Sequence, residues 1–301
     1  MSKFQPDPLL YPFQSNWVEL GSGSRVHYVD EGRGPVLLFL HGNPSWSFLY
    51  RRIIQRLSGQ FRCIAPDLPG FGLSEAADGF GFTAREQAQI MVEFIDQLDL
   101  TGVGVMVQDW GGPTGIYAAQ MRPERIDRLI IGNTFSWPLT NFGVRMFSSG
   151  MGGLLGRTST YLFNGVIRFF FTRGVVNKLT PDVWNMYLAP FNDRRMRHPT
   201  HIFPKQLVAA APFLQELEIG LPTIKDKPAL ILWGDSDFAF KENERDRFRT
   251  AFPNHRDIDL IGAGHFIQED APDAISAAIL DWYDEDGSDG GFTADEDPTC
   301  N

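Results

Sequence analysis

Cysteine is scarce in this chain: two in 301 residues, Cys63 in an apolar run after Arg62 and Cys300 next to the C-terminus. That excludes a disulfide framework and fits a reducing, cytoplasmic setting. No apolar run approaches the length of a membrane span. The opening residues, Met-Ser-Lys-Phe-Gln-Pro-Asp-Pro, hold no apolar h-region, so no secretory signal is expected. There is no internal repeat. Positive charge is in deficit, with 27 Lys and Arg against 37 Asp and Glu and a formal net charge of −10. Seven of the acids fall within residues 284–301, a Gly-rich stretch with no Lys or Arg, which is expected to be a disordered, solvated acidic tail. Without that tail the body is only mildly acidic, and nothing in the balance calls for nucleic acid or an anionic membrane as a partner.

What remains is an ordinary globular composition, 43% hydrophobic and 21% charged, in a chain long enough for one large domain plus an insertion. The first half alternates strand-like and helix-like segments. Short apolar runs at Arg25–Val29, Val36–Leu40, Phe61–Ala65, Val103–Val107 and Ile126–Ile131 read as strands. Helical spacing appears over Ser47–Leu57, over Thr83–Leu98 (opened by a Thr83/Glu86 capping-box pattern) and over Gly112–Met121. Strands separated by helices predict a mostly parallel sheet covered on both faces, an α/β architecture. The alternation stops from about Phe135 to Phe213, a stretch with ten phenylalanines and no clear strand. It reads as a helical cap, residues 135–213, inserted after the sixth strand into a core made of 1–134 and 214–283. The sheet pattern resumes with Ala229–Trp233, a helix near Glu242–Phe252, the strand Asp257–Ile261 and a closing helix Pro272–Trp282. Ligands of open α/β sheets bind beyond the strands' carboxyl ends, so a cap there would enclose a largely apolar pocket.

Three polar groups follow strand-like runs in the order Asp109, Asp237, His265. In Val107-Gln108-Asp109-Trp110-Gly111-Gly112 a buried strand turns straight into a helix. α/β hydrolases carry a nucleophilic Ser at this corner; here the residue is Asp. A serine that attacked a saturated carbon would be left as an ether. A carboxylate leaves an ester, whose carbonyl water can attack, so Asp suits displacement at an alkyl carbon. The bland alternative is an Asp that merely caps its helix. His265, in Gly262-Ala263-Gly264-His265-Phe266, is the expected general base, because an imidazole titrates near working pH. The acid that orients it is Asp235 or Asp237, with Asp237 favoured and Asp235 assigned to the turn after Gly234. Trp110 and Asn43 are the expected donors to a departing anion, and the backbone N–H groups of Asn43 and Trp110 the expected oxyanion hole. His41 is expected to shape its loop; His27, His198, His201 and His255 are expected bystanders.

With those residues in view, the sequence resembles haloalkane dehalogenases across roughly residues 7–283. The shared motifs are His-Gly-Asn-Pro-Ser-Trp-Ser at 41–47, Asp-Leu-Pro-Gly-Phe-Gly-Leu-Ser at 67–74, Gln-Asp-Trp-Gly-Gly at 108–112, Phe-Pro-Lys-Gln at 203–206 and His-Phe-Ile-Gln-Glu-Asp at 265–270. The resemblance implies an α/β-hydrolase fold. It implies Asp109 as nucleophile, His265 as base, Asn43 with Trp110 as the halide-stabilising pair, and Phe203 and Pro204 lining the pocket; Phe135 and Trp137 are added as pocket candidates. Some members carry a Glu where this chain has Asn133, which points to Asp237 as the acid, as in the subfamily sometimes called type III. Members of that group tend to self-associate, so a homo-oligomer is implied as an option. The expected reaction takes a small halogenated alkane to a primary alcohol, a halide ion and a proton, with no metal or organic cofactor. Three rivals stand beside it. An epoxide hydrolase would use the same Asp but needs cap tyrosines, for which only Tyr161 and Tyr187 are available. The others are a coelenterazine-oxidising luciferase and a non-catalytic binder of small hydrophobic ligands.

Overall fold

The computed structural model describes residues 4–288. Eight strands form one sheet: β1 (Asn16–Glu19), β2 (Arg25–Glu31), β3 (Val36–Leu40), β4 (Arg62–Pro66), β5 (Val103–Asp109), β6 (Ile126–Thr134), β7 (Ala229–Gly234) and β8 (His255–Leu260). Their order is β1-β2-β4-β3-β5-β6-β7-β8. The pairs β1–β2 and β2–β4 are antiparallel and the other five are parallel. Every residue of β5 and of β7 is buried. This explains why they read as continuous apolar runs: helices cover both faces, so no polar alternation is needed. The edge strand β1 alternates half-buried and exposed residues and was not foreseen, being four residues long with a single Val.

Three helices lie between the strands of the first half, α1 (Arg51–Leu57), α2 (Ala84–Gln97) and α3 (Gly111–Met121), and past β6 comes α4 (Phe142–Gly152). The Thr83 hydroxyl accepts from the Glu86 N–H at 3.3 Å while the Glu86 carboxylate accepts from the Thr83 N–H at 2.9 Å. This reciprocal cap fixes the start of α2 and contributes about 1 kcal/mol. After α4 come α5 (Leu154–Phe163), α6 (Gly165–Gly174), α7 (Pro181–Leu188), α8 (His198–Ala209) and α9 (Ala211–Gly220), so the expected helical insertion follows the sixth strand. The anticipated boundary between residues 213 and 214 falls inside α9. The chain then returns to β7, α10 (Glu242–Ala251), β8, the short α11 (Ile267–Asp270) and α12 (Pro272–Ser288).

The acidic tail needs a correction. Expected to be disordered from residue 284, it is helical through Ser288, and Glu285 accepts a hydrogen bond from Arg256 at 3.0 Å, which anchors this last part of α12 to β8. The rest of the anticipated tail, with Cys300, lies outside the described residues.

Candidate active site

Parallel strands end on one edge, and the polar residues just beyond those ends meet there. Asp109 closes β5 with φ +52°, a left-handed conformation that turns the chain abruptly into α3. Its Oδ1 accepts the Asn43 backbone N–H at 2.7 Å, from the loop after β3. Only glycine fits beside it: a Cβ on Gly42 would lie 2.2 Å from that same oxygen. The Thr134 hydroxyl, at the end of β6, donates to the Asp109 carbonyl at 2.5 Å. Asp109 is therefore held by two neighbouring strands, with its second carboxylate oxygen 3.5 Å from His265 Nε2.

His265 lies beyond β8, and its Nδ1 stands 3.0 Å from Asp237 Oδ2, beyond β7. Asp235 turns away and accepts the Gly262 N–H at 2.9 Å. Asn133, at the end of β6, donates to Asp237 Oδ2 at 2.8 Å and accepts the Gly234 N–H at 2.8 Å, while the Ala239 N–H occupies Asp237 Oδ1 at 2.6 Å. The His265 loop is strapped to the helical insertion. Asp270 accepts the N–H groups of Gly264, Val176 and Asn177, and the Gly174 carbonyl accepts the Phe266 N–H.

The imidazole is fully buried between two carboxylates. Burial alone would push it below its ordinary 6.5; the charge of Asp237, with the hydrogen bond and charge of Asp109, outweighs burial and holds it up at about 10. A value raised above that of the unfolded chain means that the imidazolium contributes its stability in full below pH 6.5. That contribution is lost as pH climbs to about 10. The expected result is that the unfolding free energy of the wild type falls across this window by on the order of a few kcal/mol more than that of His265→Gln. Urea titrations at several pH values check it, and parallel pH curves for the two proteins would contradict it.

In front of Asp109 lies a cavity of about 320 Å³, with Asn43, Trp110 and Asp109 on its wall and an otherwise mainly apolar lining that includes Leu139, Phe147, Phe170, Leu207 and Phe240. Among the described residues, neither the Asn43 amide NH₂ nor the Trp110 indole N–H donates to a protein acceptor.

The family model for the alpha/beta hydrolase fold matches residues 35–272. Haloalkane dehalogenase 2 of Mycobacterium tuberculosis is 42% identical over 282 residues, covering 93% of this chain and 98% of the relative. The chain belongs to the haloalkane dehalogenase family of α/β hydrolases. A solved putative ancestral haloalkane dehalogenase superposes with a TM-score of 0.82 at 28% identity, over 91% of this chain and 99% of the other. A cis-3-alkyl-4-alkyloxetan-2-one decarboxylase of Shewanella oneidensis is 30% identical over 92% of this chain and 90% of its own.

Within this dehalogenase fold the expected pocket residues separate. Pro204 lines the cavity. Phe135 and Phe203 stand behind Trp110, edge-on at 4.9 and 5.2 Å, and fix its indole rather than facing the space. Trp137 is a correction: it packs on Phe248 at 4.6 Å under the Arg247 guanidinium and borders a separate hollow, because the chain after β6 turns its side chain toward α10. Neither tyrosine of the insertion reaches the cavity. The Tyr187 hydroxyl is engaged with Glu269, and Tyr161 lies 2.6 Å from His198 Nδ1. His41 bonds the Gly42 carbonyl and accepts the Leu68 N–H, each at 2.9 Å, which ties two loops together.

Two polar residues around Asp109, Asp237 and His265 received no role from the sequence. Asn133 supports Asp237 as described. The Gln108 amide donates to the His265 carbonyl at 3.0 Å and lies 3.2 Å from Nε2. The available signal was a polar residue inside or ending an apolar strand, which folding tolerates only where its hydrogen bonds are met.

Proposed function

We propose that this enzyme hydrolyses haloalkanes through a covalent ester on Asp109. The Asp109 carboxylate attacks the halogen-bearing carbon, and the carbon–halogen pair leaves as halide toward the Asn43 amide and the Trp110 indole N–H. The ester no longer carries Asp109's charge, so a main support of the raised His265 value disappears and the imidazolium gives up its proton to solvent. Neutral His265 then removes a proton from water as it attacks the ester carbonyl. The Asn43 N–H, already on Oδ1, meets the charge that develops on that oxygen. Collapse returns carboxylate, imidazolium and a primary alcohol. Asp237 holds the tautomer, and Asn133 and Gln108 position the pair. Residues 135–213 act as the cap over this edge, and the free, buried Cys63 agrees with a cytoplasmic setting.

One observation carries the reading: a carboxylate at the strand–helix corner, held on one oxygen by a backbone N–H and facing a histidine with the other, at the wall of an apolar cavity. The test is bromide release from short bromoalkanes with stoichiometric alcohol; no halide from any chain length tried would overturn it. The Trp110→Phe variant keeps the packing against Phe135 and Phe203 but removes one donor to an ion, so kcat/KM is expected to fall about 10–100-fold. A change under about threefold would take Trp110 out of the step.

The Shewanella relative keeps a second reading in view, decarboxylation of a cis-oxetan-2-one by the same carboxylate. Carbon dioxide release from such a lactone, with no halide from bromoalkanes, would favour it.

A further inference from the structure

The net charge of −10 hides a segregation. Residues 135–213 hold nine Lys and Arg against two Asp, a net of +7, whereas the rest of the chain holds 18 against 35, a net of −17. Among the described residues the insertion contains one ion pair between its own side chains, Arg195–Asp193. Its basic groups are therefore largely uncompensated by its own acids.

The same helices expose apolar tips. α4 and α5 pack on each other and on α8. Away from α8 they present Phe142 (77% exposed) and Met146 on α4, and Leu154 (77%), Leu155 (85%), Leu162 and Phe163 (65%) on α5. Arg145 and Arg157 stand exposed on the same two helices, Arg157 over the Tyr161 ring at 5.7 Å, and Arg168 and Arg173 on α6 and Lys205 on α8 are exposed as well. An apolar surface of this extent marks an interaction site. Leucine and phenylalanine tips interleaved with long cationic chains match a helix lying in a lipid interface, where the tips enter the acyl boundary and the guanidinium groups stay with phosphates.

We propose that this face docks on the surface of an anionic lipid bilayer. The charge pattern selects that occupant. A symmetric contact with a second copy through the same patch would set the exposed Arg145 and Arg157 of one copy against those of the other, since a twofold interface meets itself. A bilayer carrying anionic headgroups attracts the insertion and repels the acidic remainder, so one orientation is favoured. The proposed contact is adsorption at the surface; no single helix among the described residues is long and apolar enough to cross a membrane. Docking would also seat the cavity mouth at the lipid, because α4 lines the cavity with Gly143, Val144 and Phe147 while Phe142 and Met146 point outward. Apolar alkyl substrates concentrate in that layer; this last point rests on the dehalogenase reading, whereas docking itself is measured without substrate.

The experiment is co-sedimentation of the full chain with vesicles of phosphatidylcholine alone or with ~30% phosphatidylglycerol. The expected result is at least ~tenfold stronger binding to the anionic vesicles, lost when salt rises from ~0.05 to ~0.5 M. Leu154→Ser/Leu155→Ser should reduce binding about tenfold. Arg145→Glu/Arg157→Glu should abolish the preference for anionic lipid. Both pairs should leave halide release from a dissolved bromoalkane unchanged, which separates failed docking from failed chemistry. Equal binding to both vesicles, or none, would overturn the proposal. So would a lipid-free dimer that the Leu154→Ser/Leu155→Ser variant dissolves, which would assign the face to a second copy.

Discussion

A His265→Gln variant is expected to release about one bromide per active site and then stop. In the proposed scheme the first displacement needs only the Asp109 carboxylate and donors for the leaving halide, and none of these is removed. The second step needs a base for water. Loss of a positioned general base slows a step by about 10²–10⁴-fold, so the alkyl ester should accumulate. Mass spectrometry after one bromoalkane should find the intact protein heavier by the alkyl group less one hydrogen, and peptide mapping should put it on Asp109. Alkylation should itself proceed at near the wild-type rate or faster, because the imidazolium that faces Asp109 Oδ2 at 3.5 Å draws on the same electrons the nucleophile must donate. A variant that turns over steadily, or that releases no halide and carries no adduct, would remove the two-step scheme.

How much of this was readable in advance depended on the kind of residue. Strands buried on both faces declare themselves as apolar runs, so β3, β5, β6 and β7 were legible, and with them the positions of Asn43, Asp109 and Asp237 at or just past their ends. A loop carries no period. Asp235 and Asp237 thus stood as alternatives in the sequence, and only the fold shows one on Gly262 and the other beside His265. Phe238 and Phe240, whose rings stand 5.7 and 5.6 Å from the imidazole, lie in the same loop and were not foreseen. Trp137 was misread for a related reason: aromatic richness between β6 and α4 does not say which side chain faces the cavity and which faces α10. The tail shows the limit of composition, since Glu285 is acidic but paired to Arg256. Averaged charge hides placement in the same way, because a mildly acidic body holds a basic insertion on an acidic core.

Asp109→Ala is expected to lower halide release to the solution background, a loss of at least about 10⁴-fold. The other nearby carboxylates are engaged elsewhere: Asp237 sits on the far side of the imidazole with its oxygens occupied by His265, Asn133 and the Ala239 N–H, and Glu244, on the cavity wall, accepts the Lys241 N–H at 2.9 Å at the start of α10. Turnover within tenfold of the wild type would end the nucleophile assignment. The same position separates chemistry from stability. A φ of +52° strains any residue with a Cβ by roughly 1–2 kcal/mol, and in the wild type the hydrogen bond from Asn43 to Oδ1 helps to offset that strain. Alanine keeps the strain and loses the bond. Asp109→Gly should be equally inactive, yet thermal unfolding should find it at least as stable as Asp109→Ala, since glycine takes this backbone conformation freely. If Asp109→Gly instead unfolded well below Asp109→Ala, the corner would not be strained in solution, and the carboxylate would have to owe its poise to something other than the backbone that carries it.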